Sequence, residues 1–83
     1  MEELTASLVD LVEVIVTPLI ESPDDLEVTG AADGDVIRID ISVDPDDAGK
    51  VIGRQGRVIK SIRTLARAAA LQSGADVEVE LLD

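Results

Sequence analysis

The sequence contains no cysteine, no histidine and no aromatic residue in its 83 positions. Without cysteine no disulfide can form, and without cysteine and histidine the usual ligands of zinc sites are missing. The absence of histidine also removes the commonest general base and the Ser-His and Cys-His pairs of nucleophilic catalysis. We therefore expect a protein that is not an enzyme and that holds no metal ion and no cofactor.

The chain also lacks a basic N-terminus and a long apolar segment. It begins Met-Glu-Glu-Leu, whereas a secretory signal begins with a positively charged region. Its apolar runs are only a few residues long, against the roughly 20 that cross a bilayer. At 83 residues the chain has the length of one small domain. These features predict a single cytoplasmic domain over residues 1–83 with no membrane contact.

Positive charge is scarce, but nearly all of it lies in one stretch. The chain has seven Lys and Arg against 18 Asp and Glu, and its net charge is −11. Six of the seven basic residues lie between Ala48 and Ala75, where there is no acid, so this stretch is +6 and the remainder −17. Because charges are screened over about 8 Å near physiological ionic strength, a basic surface can act locally in an acidic protein.

The first half of the chain has the pattern of a helix followed by two strands. Apolar residues recur at steps of three and four over Glu2–Ile20, which predicts a helix that Pro18 should kink or end. Leu26–Thr29 is predicted as a short strand, and Val36–Val43, which alternates well, as a longer one. A loop over Gly30–Asp35, longer than a two-residue hairpin, is predicted to join them.

The second half has the pattern of two helices and a strand. Asp44 and Pro45 predict the start of a short helix, because aspartate can cap free amides and proline has its backbone torsion preset. That helix should stop near Gly53, and a longer one should run over about Gly56–Ser73 before a strand over Val77–Leu81. The order αββααβ predicts an α+β domain with three helices on one face of a three-stranded sheet.

Two glycines flank two polar residues at the junction of the last two helices, in Gly53-Arg54-Gln55-Gly56. Glycine permits torsions and close approach that a Cβ would block, so a sugar-phosphate strand can press against such a turn. Amides at the start of the next helix would face its phosphate oxygens. Arg54 supplies charge at the tip, and three more basic residues surround the turn: Lys50, Arg57 and Lys60. The turn is therefore the candidate binding site.

The helix after the turn is predicted to have one basic face and one core face. On a helical projection, four basic residues fall in an arc about 120° wide: Arg57, Lys60, Arg63 and Arg67. The apolar residues expected to face the core lie on another side: Val58, Ile59, Ile62, Leu65, Ala66 and Ala69. The basic stripe should extend from the glycine turn along the helix.

Other motifs are incomplete, and simpler interpretations remain open. The phosphate loop of nucleotidases requires Gly-x-x-x-x-Gly-Lys-Ser/Thr and the dinucleotide fingerprint Gly-x-Gly-x-x-Gly, and neither occurs. Asp44, Asp46 and Asp47 resemble part of a calcium loop, but the rest of its pattern is missing and helix capping explains them better. Two glycines between helices can also be only a cap and a tight turn, and a basic stripe only a solvated face.

The run Val51–Ile62, VIGRQGRVIKSI, resembles the KH signature Ile-Gly-x-x-Gly-x-x-Ile-x-x-Ile. A helix and a strand before this core motif resemble the bacterial, type II arrangement of KH domains. The stretches 44–57 and 62–65, together with Ile15–Ile20, are similar to the KhpA family of small bacterial single-KH proteins. The resemblance implies a type II KH domain with a mixed sheet, the core motif at about 36–82 and the N-terminal helix and strand at 2–30.

The resemblance implies a protein that clamps about four nucleotides of single-stranded RNA at the glycine turn. By position it implies this set of RNA-binding residues: Lys50, Val51, Ile52, Gly53, Arg54, Gln55, Gly56, Arg57, Ile59 and Lys60. Within the set, Val51, Ile52 and Ile59 are candidates for the wall or floor of an apolar groove for bases. Arg63 and Arg67 form a secondary basic stripe.

Members of the KhpA family look like cytoplasmic RNA chaperones or post-transcriptional regulators with links to cell elongation and division. They are described as forming homodimers and pairing with a second KH protein of the KhpB (Jag) type. The resemblance therefore leaves an alternative function, a dimerisation module with weak or no direct RNA binding. In neither case is a small-molecule substrate expected.

Overall fold

Three helices lie on one face of a three-stranded sheet in the computed structural model, which describes residues 1–82. The elements are α1 Glu2–Val16, β1 Glu27–Asp33, β2 Val36–Ser42, α2 Ala48–Ile52, α3 Arg57–Ala70 and β3 Asp76–Leu82. The α+β class and the order αββααβ are therefore confirmed. Within these 82 residues, no helix combines the length and the apolar character that crossing a membrane requires.

Helix α1 ends where proline makes its continuation unfavourable. The α-helical hydrogen bonds stop at Val16, and the chain makes one 3-10 turn over Thr17–Leu19 with Pro18 inside it. The prediction that Pro18 ends this helix is confirmed, because its ring clashes with the carbonyl one turn back. α1 buries Leu8, Val12 and Val16, which recur every four residues on one side of the helix.

The central strand β2 holds the sheet together. It pairs antiparallel with β1 and parallel with β3, so the sheet is mixed. Ile37, Ile39 and Ile41 point to the helices and are completely buried, and Val77 and Val79 of β3 lie beside the first two in register. The predicted alternation of β2 is confirmed.

The hairpin between β1 and β2 is tighter than the sequence predicted. β1 continues to Asp33, which pairs with Val36 across a two-residue turn. The predicted loop over Gly30–Asp35 and the short strand that preceded it are therefore wrong in length. β1 is an edge strand in which only Val28 is buried, so its small residues lack the alternation by which a half-buried strand is recognised.

The signals at the ends of α2 and α3 are confirmed. Asp44 Oδ1 accepts a hydrogen bond of 2.9 Å from the amide of Asp46 and so caps the 3-10 turn Pro45–Asp47 that leads into α2. α3 continues as a 3-10 turn over Leu71–Ser73, and Gly74 ends it with a left-handed backbone at φ 79°. Capping side chain and terminating glycine are thus both local properties that the sequence already indicated.

Helix α3 buries a narrower stripe than its helical projection predicted. Ile62, Ala66 and Ala70 are buried, whereas Leu65 is 51% exposed and Ala69 is exposed. The placing of Leu65 and Ala69 in the core is therefore wrong. α3 packs on β3 and also against α1 and α2, so only the side chains directed at these elements are covered and the flank of its apolar face stays in solvent.

Helix α1 lies directly against β1 at Gly30. A Cβ at this position would lie 2.8 Å from both Thr5 Cγ2 and Val9 Cγ2, and 3.1 Å from Ile39 Cδ1. Glycine is needed here for space, because any side chain would meet the helix. The tight contact fixes the distance between α1 and the edge of the sheet.

Gly30→Ala should lower the free energy of unfolding by about 1–3 kcal/mol, because the added methyl group forces α1 away from β1. Gly49→Ala is the matched control, since Gly49 lies inside α2 and a Cβ there meets no atom within 4 Å. That variant should be more stable by about 0.5–1 kcal/mol. Urea denaturation measures both changes, and the same effect from both would contradict the close contact at Gly30.

Candidate functional site

The turn between α2 and α3 has an unusual backbone. Gly53 ends α2 at φ 77° and ψ 172°, and Gln55 (φ 58°) and Gly56 (φ 74°) are left-handed. Gln55 is the one non-glycine residue with positive φ in the part of the chain that the structure describes. The Gly56 amide donates a hydrogen bond of 3.1 Å to the Gly53 carbonyl, which closes the turn. Such torsions are costly for most residues and persist where the surroundings enforce them.

The two glycines of the turn are needed for different reasons. A Cβ at Gly53 would lie 2.7 Å from Val58 Cβ and 2.9 Å from the Val58 amide nitrogen, so the chain folds back on itself there. A Cβ at Gly56 would meet no atom within 4 Å, and glycine is required only for its left-handed torsion. The space beside Gly56 is therefore open for a ligand to approach the backbone.

Three of the predicted basic residues stand free around the turn. Arg54, Arg57 and Lys60 are exposed and take part in none of the ion pairs formed among residues 1–82. Gly56 occupies the N-cap position of α3, so no side chain caps the start of that helix. Positive charge and a helix N-terminus thus converge on the same turn, an arrangement suited to anionic groups.

Lys50 is held away from this group by two carboxylates. Its Nζ lies 3.1 Å from Glu21 Oε1 and 3.4 Å from Asp47 Oδ1. The hydrogen bond to Glu21 is the main reason that the pKa of Lys50 is raised above its ordinary value, and the bond to Asp47 adds to it. The structure therefore separates Lys50 from the other predicted basic residues, because its charge is already neutralised within the protein.

Asp47 has a structural role that its position in the sequence does not reveal. Its side chain is only 2% exposed, and its two oxygens accept hydrogen bonds from the amides of Glu21 at 3.1 Å and Ser22 at 3.0 Å. The Glu21 amide is the main cause of the lowered pKa of Asp47. The sequence favoured a capping role, but Asp47 instead joins the loop after α1 to the start of α2. Its partners lie 25 and 26 residues away, and no spacing rule connects them.

Arg63 and Arg67 bind the edge of the sheet. Arg63 Nη2 donates to the Val79 carbonyl and Arg67 Nε to the Val77 carbonyl, each at 3.1 Å. Arg67 Nε also lies 3.9 Å from Asp76 Oδ1. The predicted stripe is thus divided. Arg63 and Arg67, far from the turn, bind β3, whereas Arg57 and Lys60 are free beside the turn.

The three predicted groove residues have different surroundings. Val51 is completely buried, so its side chain belongs to the core. Ile52 is 41% exposed beside the turn, and Ile59 is partly buried against the core. A small apolar groove of about 220 Å³ lies next to α2 and is lined by Val43, Pro45, Ala48 and Leu82. None of these four was a sequence-predicted site residue, because their proximity arises only when the ends of β2 and β3 meet α2.

The order αββααβ, the mixed sheet and a Gly-x-x-Gly turn between the last two helices together define a KH domain. The family model for the KH domain of KhpA and KhpB matches residues 9–81. The chain therefore belongs to the KhpA/KhpB family of KH domains, and the predicted family and fold are confirmed.

Several curated relatives match the chain over most of both lengths. "RNA-binding protein KhpA" of Bacillus subtilis is 46% identical over 92% of this chain and 94% of its own. The protein of the same name from Listeria monocytogenes is 35% identical over the whole of both chains. Among solved structures, a variant of Era from Aquifex aeolicus bound to GDP.AlF4- has a TM-score of 0.67 and 26% identity, covering 94% of this chain and 30% of that longer one.

Asp47→Asn should lower the melting temperature at neutral pH. On acidification, the melting temperature of the variant should fall less than that of the wild type. Because the pKa of Asp47 is lowered on folding, its stabilising effect is complete above the ordinary value of 3.8 and is lost as the pH falls through the lower folded value. The difference between wild type and variant should therefore shrink in that acidic range. Melting curves measured as a function of pH test this, with the exposed neighbour Asp46→Asn as control. Equal effects of the two substitutions would contradict the assigned role of Asp47.

Proposed function

We propose that this protein binds single-stranded RNA and that the Gly53–Gly56 turn holds the RNA backbone. The observation that carries the proposal is the group of free cations, Arg54, Arg57 and Lys60, around an open left-handed turn at an uncapped helix start. The name of the relatives, RNA-binding protein KhpA, supports the same function.

The turn suits a phosphate backbone better than a base edge. With no side chain at Gly56, a sugar-phosphate strand can reach backbone amides, and α3 directs the positive end of its dipole to the same place. Arg54, Arg57 and Lys60 can then neutralise about three phosphates. Contacts of this kind fix the position of a strand and are indifferent to its sequence.

Bases would be recognised without stacking on aromatic rings, since the chain has none. KH domains clamp about four nucleotides, and we assign those bases to the aliphatic surface along α2. Ile52 and the groove that includes Ala48 and Leu82 offer this surface. Sequence preference would then depend on shape and on hydrogen bonds to base edges.

The family resemblance extends the proposal to a cellular role. We assign the protein to the cytoplasm as an RNA chaperone or post-transcriptional regulator linked to cell elongation and division. Binding through the RNA backbone fits such a role, because a chaperone must bind many sequences.

Arg54→Asp combined with Gln55→Asp should abolish binding to a labelled single-stranded RNA, a loss of at least about tenfold in affinity. Aspartate tolerates the left-handed torsion at position 55, so the fold should survive. For the wild type, log K should fall with log salt at a slope near −2 if roughly three phosphates are neutralised. Fluorescence anisotropy at several salt concentrations measures both.

The matched control for this double variant is Arg38→Asp combined with Gln72→Asp. It makes the same two chemical changes at exposed positions, one on the open face of the sheet and one beyond the end of α3. Its affinity should stay near that of the wild type. An equal loss in both variants would mean that net charge, and not the turn, governs binding.

A second candidate function is pairing with another copy or with a KhpB-type KH protein. One observation favours it, the exposure of Leu65 on the outer flank of α3, in a shallow surface that it shares with Ser61, Thr64 and the two cations Arg57 and Lys60. An exposed leucine on a regular helix can pack against the same helix of a partner across a two-fold axis.

Leu65→Asp should convert a dimer to a monomer, because a symmetric interface would bury two carboxylates against each other. Size-exclusion chromatography with light scattering measures the mass with and without RNA. Leu71→Asp is the control, since Leu71 is 77% exposed beyond the end of α3. A wild type that stays monomeric at high concentration would exclude self-pairing.

A further inference from the structure

The two edges of the sheet differ in whether side chains bond to their outward backbone groups. At the β3 edge, the amide of Asp76 donates a hydrogen bond of 2.8 Å to the Asp35 carbonyl, on the side of β2. Because the bonding direction alternates along a strand, the backbone groups of Val77 and Val79 point outward. The outward carbonyls of Val77 and Val79 are those that Arg67 and Arg63 occupy. Arginine side chains laid across an edge prevent another strand from pairing with it.

The β1 edge carries a regular set of free backbone groups. Because Asp33 and Val36 close a two-residue hairpin, they form a hydrogen-bonded pair, and such pairs alternate along the strands. Thr29 and Ala31 therefore bond to β2. The N–H and C=O groups of the intervening residues point away from the sheet, at Val28, Gly30 and Ala32. This is the pattern that an added strand requires.

Between its two terminal acids, β1 has no charged residue and no proline that would block the approach of a strand to this edge. Its sequence, EVTGAAD, has no lysine, arginine or proline, the residues that usually protect edges. A trough of about 740 Å³ runs beside it, between the edge and the flank of α1. Ala6 of α1 and Ala32 of β1 lie in its lining, so the trough can accept the inward-facing side chains of a further strand.

The charges around the trough select the occupant. Glu2 and Asp10 line it from α1, Glu27 and Asp33 stand at the two ends of β1, and no lysine or arginine belongs to its lining. Antiparallel pairing of two copies centred on Gly30 would place Glu27 of each copy opposite Asp33 of the other. Like charges opposite each other destabilise a strand pair, so a second copy fits poorly and a basic segment fits well.

We propose that the β1 edge binds an extended, basic segment of a partner protein, which adds a fourth strand beside Val28–Ala32. Its backbone would bond to Val28, Gly30 and Ala32, small or β-branched side chains would enter the trough, and lysine or arginine at its ends would meet the carboxylates. Main-chain bonding gives affinity in this mode and the side-chain pockets give selectivity. The surface is separate from the glycine turn, so the proposal stands or falls independently of RNA binding.

Amide hydrogen exchange of the full chain, followed residue by residue, tests the proposal. The probe is the peptide Lys-Lys-Val-Thr-Val-Thr-Val-Lys-Lys. On binding, exchange at Val28, Gly30 and Ala32 should slow by at least about tenfold, while Thr29 and Ala31, already bonded to β2, should change little. The same peptide with proline at the central valine should not produce this alternation, and with glutamate for every lysine it should bind more weakly.

A charge reversal on α1 tests the electrostatic part. Asp10→Lys should weaken peptide binding about three- to fivefold. Glu13→Lys is the matched control, because it makes the same change about one turn further along α1, outside the lining of the trough, and should leave affinity within about twofold. Equal effects of both substitutions would mean that the net charge of the protein, and not the position of Asp10 in the trough, governs peptide affinity. That result would overturn the assigned site.

Two other outcomes would overturn the proposal. Peptide binding without the alternating protection, or no binding at peptide concentrations up to about 1 mM, would exclude strand addition at this edge. The same alternating protection without peptide, growing with protein concentration and accompanied by a doubled mass in light scattering, would assign the edge to a second copy of the chain instead.

Discussion

The burial of β2 between two strands and beneath the helices is the constraint on which the rest of the structure depends. Since the chain has no aromatic side chain, its core consists of isoleucine, valine, leucine and alanine, and β2 supplies Ile37, Ile39 and Ile41. Small aliphatic side chains fill a core to native density only when the elements lie close together, as α1 does at Gly30. Because the helices pack on one face of the sheet, the other face is covered by no helix, and only side chains can cover that face and the two edges.

That one-sided packing explains how a chain of net charge −11 can present a basic site. The free cations lie beside the turn that joins two helices, whereas alternate residues of all three strands direct mostly acidic side chains to the open face of the sheet: Glu27, Asp33, Asp40, Asp76, Glu78 and Glu80. Lys50 is the exception near the turn, because Glu21 and Asp47 neutralise it. The protein thus carries its free positive charges at the turn and most of its strand acids on the open face of the sheet, and the net charge of the chain describes neither surface.

Most of the fold was predictable, because its signals are local. The strict alternation of β2, the cap at Asp44 and the stop at Gly74 each depend on residues a few positions apart. The weaker predictions concern elements whose form depends on a neighbour. β1 is extended because β2 pairs with it, although its own side chains are small and exposed. Leu65 is exposed because the elements packed against α3 leave that flank of the helix uncovered.

The sequence by itself determined the class of fold, the family and the glycine turn, since periodicity, capping and left-handed glycines act within one or two turns of chain. Only the tertiary structure decided which partners the individual charged side chains bind. Asp47 binds backbone 25 and 26 residues away, and Arg63 and Arg67 bond to carbonyls of a strand that follows them. Long polar side chains reach whichever partner the packed elements bring near, and that proximity is a property of the assembled sheet and helices and not of sequence spacing.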